Sequence, residues 1–159
     1  MLPAVTAFSG FSGLGVLRIA EHLHGHLGWL AALALVHPAV LLRRPERRAH
    51  LAVALATGVA TLAAIIGVSL YPAYRELLKP SIFADAPMLG FAFERKEHLA
   101  FGAVAFAWAG ALAYAGAIGP GVVARLPMRR ASHACFVAAA LFAVATAALG
   151  TCVAVYRTF

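Results

Sequence analysis

A chain of 159 residues that is 63% hydrophobic, with a mean hydropathy of +0.87, carries far more apolar surface than one water-soluble domain can bury. The net charge of +7 does not point to nucleic acid, because seven of the 13 cationic residues fall in two short turns, Arg43–Arg48 and Arg125–Arg130. Such clusters are the cytoplasmic flanks of membrane spans.

In chain order, residues 1–20 are apolar but broken by Gly10, Gly13 and Gly15. No basic region precedes them and no small-residue cleavage site follows, so they read as an N-terminal interfacial segment rather than a cleaved signal. Four windows free of Asp, Glu, Lys and Arg are then long enough for the roughly 20 apolar residues a span requires: 22–42, 49–74, 98–124 and 131–156. They predict helices over about 21–42, 48–71, 97–118 and 130–156, the third stopped by Gly119-Pro120-Gly121. The short turns make helices 1 and 2, and 3 and 4, antiparallel neighbours. The long connection 72–96 contains Pro72, Pro80 and Pro87 and is rich in Leu, Ile and Phe, so it is expected to fold as a cap on the outer end.

The fold class is thus all-α: an integral-membrane four-helix up-down-up-down bundle over 21–159. It also reads as a duplicated helix pair. Arg47-Arg48 and Arg129-Arg130 open the second helix of each pair, His50 and His133 follow, and Gly67 and Gly150 come 17 positions after those histidines. Glu21-His22-Leu23 matches Glu97-His98-Leu99. The arginine turns set themselves in the cytoplasm of a bacterial inner membrane, with both termini outside. Cys135 and Cys152 lie about 25 Å apart along one helix and cannot bridge.

The seven histidines form two tiers. His22, His24, His26 and His98 stand at the outer ends of helices 1 and 3; His37, His50 and His133 stand at the inner ends of helices 1, 2 and 4. In such a bundle helices 1 and 3 are diagonal, as are 2 and 4. His98 would therefore face His26 or His22 across the core, and His50 would face His133. Two facing imidazoles at each of two depths are what two bis-histidine haems require. His26 gives the shorter haem spacing, about 20 Å rather than about 25 Å along the axis, and is preferred, with His22 open. His37 follows His26 by three turns and is expected to point into the core on the inner side, as a ligand of the inner haem in place of His50, a propionate partner or part of a quinone pocket. His24 points roughly the opposite way from His22 and His26.

On these histidines the chain resembles the transmembrane di-haem cytochromes b with a four-helix core, which include the ascorbate-dependent reductases and their bacterial relatives. The resemblance implies two haems b on opposite sides of the membrane, with iron held by His26, His98, His50 and His133. It implies an electron-transfer protein that exchanges electrons with a quinone or redox protein as part of a larger membrane complex. No flavin or nucleotide motif is present, so any enzymatic role is at most that of an anchor subunit of a quinone-linked oxidoreductase. The alternative is copper or zinc transport or chaperoning through His22-Leu23-His24-Gly25-His26, whose spacing and imidazole content suit those metals.

Overall fold

The computed structural model describes residues 11–44, 46–118 and 122–156. They form α1 (Phe11–Leu41), α2 (His50–Leu77), the short α3 (Lys79–Asp85), α4 (Pro87–Gly116) and α5 (Val122–Tyr156). Among the described residues there is no strand. Four of the helices are long and apolar enough to cross a membrane, and the chain is a multi-pass all-α membrane bundle.

The long helices pack as a ring: α1 lies against α2 and α5, and α4 lies against α5 and α2. Helices α1 and α4 are therefore diagonal, as are α2 and α5. The end of α1 with Arg43 and Arg44, the start of α2, the end of α4 and the start of α5 lie together, at what is called here the basic end. The Tyr114 hydroxyl accepts from the Ala49 amide at 2.7 Å, and Arg129 Nη1 donates to the Arg47 carbonyl at 2.7 Å, tying the two turns together.

Small residues set the helix spacing. The main core contains Ala32, Ala56, Ala60, Ala103, Ala107, Ala139 and Ala143 around Leu35 and Phe136. Between apolar helices in lipid, close backbone approach supplies the packing that water exclusion would supply elsewhere. Phe136 rests where Gly110 lacks a side chain: a Cβ there would stand 2.9 Å from the ring. The outside is apolar instead, with Leu51, Val68, Phe101, Leu112 and Leu141 between 66% and 78% exposed. That inversion is what a lipid solvent demands.

Helix boundaries depart from the sequence expectation at three places. Residues 11–20 are the first turns of α1 rather than a separate interfacial segment, and residues 1–10 lie outside the described residues. The connection 72–96 is helical almost throughout. Pro72 lies inside α2, while Pro80 and Pro87 stand at the first positions of α3 and α4, where a missing N–H costs nothing. Pro80 and Pro87 thus start helices, and Pro72 is accommodated within one, so the segment is three helical pieces rather than a single helix. The segment does cap the bundle: Tyr74, Leu78, Ile82 and Phe93 form a second small core with Val153 of α5. Helix α5 begins eight residues early and carries Pro127 within it.

Candidate functional site

Three helices bring ionisable groups together at the end opposite the arginine turns, here the distal end. Helix α1 supplies Glu21 and His24, α2 supplies Tyr74, and α4 supplies Lys96 and Glu97. The helices α2 and α5 also contribute two absences, Gly67 and Gly150.

His24 is the deepest of these groups. Its ring lies on Gly67, where a Cβ would stand 2.6 Å from Cε1. Its Nδ1 is 3.0 Å from the carbonyl of Ala63. A carbonyl only accepts, so Nδ1 carries the proton and Nε2 is left as the nitrogen that can gain or lose one. By helical rise Ala63 lies about 20 Å from the start of α2, and His24 about 25 Å from the end of α1. Both depths fall within a hydrocarbon layer of about 30 Å.

Lys96 makes the matching contact in the other half. Its Cδ and Nζ stand 3.4 and 4.0 Å from the position of a Cβ on Gly150, and its Nζ lies 4.3 Å from the centre of the Phe93 ring. Aligning His26-Leu27-Gly28-Trp29 with His98-Leu99-Ala100-Phe101 puts Lys96 at the position of His24. Each antiparallel pair thus lays a basic side chain from its first helix onto a glycine of its second, His24 on Gly67 and Lys96 on Gly150.

Acidic and phenolic groups surround the pair. Lys96 is within electrostatic range of His24, and Glu97 and Glu21 are within range of Lys96 and of Tyr74. Oε1 of Glu97 is buried without a hydrogen-bond partner among the described residues. Tyr74 stacks on Phe93 at 3.8 Å and 8°, which closes the side of the cluster next to the cap. Above it, Lys79 of α3 donates to Glu94 at 2.8 Å, and that hydrogen bond holds the Lys79 ammonium above the ordinary lysine range.

The residues expected as haem ligands are placed differently. His26 and His37 share a face, as three helical turns require, but it is the exposed face, so His37 does not point into the core. His22 and His98 are exposed as well, and His98 Nδ1 donates to the Glu94 carbonyl of its own helix at 2.8 Å. The structure therefore does not bring His26 or His22 opposite His98 across the core. His24, set aside in the sequence reading, is the helix-1 histidine that turns inward. At the basic end, His50 is exposed and edge-on to Tyr114 at 5.3 Å. His133 is half-buried, and its Nδ1 is buried without a partner among the described residues. Of the histidines of His22-Leu23-His24-Gly25-His26, His22 and His26 lie on the exposed face and His24 turns away from them. Among the described residues no three His, Cys, Asp or Glu side chains converge in a metal-binding group.

Sequence reasoning missed Lys96 and Glu97, which read as flank charges of the third span. The signal was available: Gly67 and Gly150 were equivalent in the repeat, and a glycine at a fixed depth in two paired helices marks a place where something comes close. No family of known proteins matches the chain, nor does any curated protein or solved structure.

Proposed function

We propose that the chain takes protons from the distal side into the bilayer and exchanges them with a redox partner or quinone in the same membrane. The observation that carries this reading is His24, an imidazole inside the bundle with Nδ1–H engaged by Ala63 and two carboxylates and a lysine above it. Ionisable groups inside a membrane bundle are expensive, and relays of Asp, Glu and His are one of their recurrent uses. Glu97, with an unpartnered buried oxygen, is an acceptor at the mouth of the path. A proton reaching Nε2 of His24 makes an imidazolium, which returns it from the same nitrogen while Nδ1–H stays on Ala63. The arginine turns support placing the basic end in the cytoplasm of a bacterial inner membrane, with the proton entrance and both termini outside.

The test is histidine nitrogen NMR of the protein in nanodiscs. His24 should show the Nδ1–H tautomer, and its Nε2 should titrate reversibly. Lys96→Met should shift that titration, whereas Arg43→Gln at the far end should not. A His24 signal that stays unchanged over the pH range in which the protein remains folded ends the proposal.

A second reading, the di-haem electron carrier, is favoured by the basic end alone. His50 and His133 stand on the diagonal helices α2 and α5 and could hold one haem b, which would supply one-electron chemistry. Tyr114, 3% exposed, would have to turn aside. The distal pair does not fit a second haem, since His26, His22 and His98 all face outward. A pyridine haemochrome assay on the purified chain separates the readings. A reducible Soret band at one haem per chain, lost in His133→Ala, supports the electron carrier; a colourless protein leaves the proton path. Metal analysis of the same sample tests copper or zinc.

A further inference from the structure

Between the basic ends of α2, α4 and α5 lies a recess of about 500 Å³. Arg48, Arg125 and Arg129 line it, with His50 and a single carboxylate, Glu46. Its apolar wall includes Ile118 and Leu126, 47% and 44% exposed. We propose that this recess binds the headgroup of an acidic phospholipid, with the phosphate among the guanidiniums and the first methylenes of an acyl chain against Ile118 and Leu126.

Three observations carry this. First, one of the three charges is fixed in place. Arg129 Nη1 donates to the Arg47 carbonyl at 2.7 Å, and its guanidinium lies 4.7 Å from the centre of the Tyr114 ring. It therefore presents its positive charge without first giving up side-chain freedom. Second, the recess is built from both antiparallel pairs, the start of α2 from one and the end of α4 with the start of α5 from the other, so it is a defined hollow rather than one charged turn. Third, it lies at the membrane boundary. Ile118 follows the span that ends at Gly116, and Arg125 begins the next one. Headgroup phosphates occupy that level, and basic pockets between spans are where anionic headgroups bind. A soluble phosphate would leave Ile118 and Leu126 without a role, whereas a lipid uses both the charge and the wall.

The experiment is native mass spectrometry of the delipidated full chain, titrated with phosphatidylglycerol or with phosphatidylethanolamine of matched chains. Phosphatidylglycerol should bind about tenfold more tightly. Arg48→Gln with Arg125→Gln should abolish that preference, and Arg48→Lys with Arg125→Lys should keep most of it. Arg43→Gln with Arg44→Gln, in the same basic end but outside the recess, should leave it unchanged. Equal binding of the two lipids by the parent chain overturns the site without any variant. Equal loss in the Arg43/Arg44 pair replaces it with a diffuse charge effect. Displacement of the lipid by inorganic phosphate at millimolar concentration assigns the recess to a soluble anion instead.

Discussion

At the distal end, Gly67 and Gly150 leave room for His24 and Lys96 to lie among the helices. At the basic end Tyr114 is buried beside α2 and α5, and Arg48, Arg125 and the other arginines but Arg129 stay exposed at the rim. The two ends hold similar residue types. What differs is the residue opposite: a glycine leaves room for the His24 ring and the Lys96 side chain, whereas Tyr114, which accepts from the Ala49 amide, fills the space beside His50. For His24 and His50, whether the ring enters the bundle thus follows from its neighbour on the adjacent helix.

The sharpest test of this comparison, a change of sign between two backgrounds, comes from closing the distal gap. In Gly67→Ala the new carbon would stand 2.6 Å from Cε1 of His24. Overpacking of this kind costs about 1–3 kcal/mol, against about 1 kcal/mol returned by replacing glycine with alanine in a helix. The variant should therefore be less stable in detergent unfolding, and His24 should lose its Nδ1 hydrogen bond. In a His24→Ala background the clash is gone, and the same substitution should stabilise by up to about 1 kcal/mol. A change of the same sign in both backgrounds would show that the ring does not rest on Gly67.

That reversal also shows how much was legible beforehand. The four spans, their antiparallel order and the diagonal pairs follow from charge-free windows and two arginine turns, and the structure has them. The helical phase of His26 and His37 was legible too, because it depends only on spacing. Which way that face pointed was not. The windows around them are apolar on all sides, so hydrophobic periodicity carries no direction in a lipid-facing helix. Inward and outward are then set by small residues on the partner helix, and these can be read only once the partner and its register are known. The prolines of 72–96 were legible in part: they keep the segment from being one helix, but that Pro80 and Pro87 start α3 and α4 was not, because the same residue breaks a helix in its middle and starts one at its first turn.

The next effect belongs to the basic end. Tyr114→Phe removes the acceptor of the Ala49 amide, a group that is 2% exposed as a residue. Leaving a buried donor unpaired costs about 1–3 kcal/mol, and the unfolding midpoint should fall accordingly. If Tyr114 also keeps His50 out of the core, the His50 ring should become less exposed in the variant, which chemical modification by diethyl pyrocarbonate reads directly. An unchanged midpoint would mean that the amide finds another partner and that the tyrosine is not what closes this end.

Gly150→Ala sharpens the comparison from the other half of the repeat. Here the nearest atoms are Cδ and Nζ of Lys96 at 3.4 and 4.0 Å, ordinary contact distances on a flexible side chain. No overpacking cost is expected, so the helix preference for alanine should dominate and raise stability by up to about 1 kcal/mol. The two equivalent glycines should thus respond with opposite signs. A loss at Gly150 as large as that at Gly67 would mean that Lys96 is held as tightly as His24.

The smallest effect is at the surface of the cap, where Lys79 meets Glu94 at 2.8 Å with side chains 28% and 39% exposed. The hydrogen bond to Glu94 raises the folded-state pKa of Lys79 above its unfolded value. A group with a raised folded pKa contributes fully below the unfolded value, about 10.4 for lysine, and loses its contribution as pH rises through the folded value. The stability difference between the parent and Lys79→Met should therefore be flat from about pH 6 to about pH 9 and shrink only above about pH 10. It should also be small and reduced by salt, because solvent screens a pair this open. A difference that already declines near neutral pH would mean that Lys79 is coupled to the buried groups beneath it. The cap and the ionisable cluster would then act as one electrostatic unit rather than as a surface pair above a separate buried one.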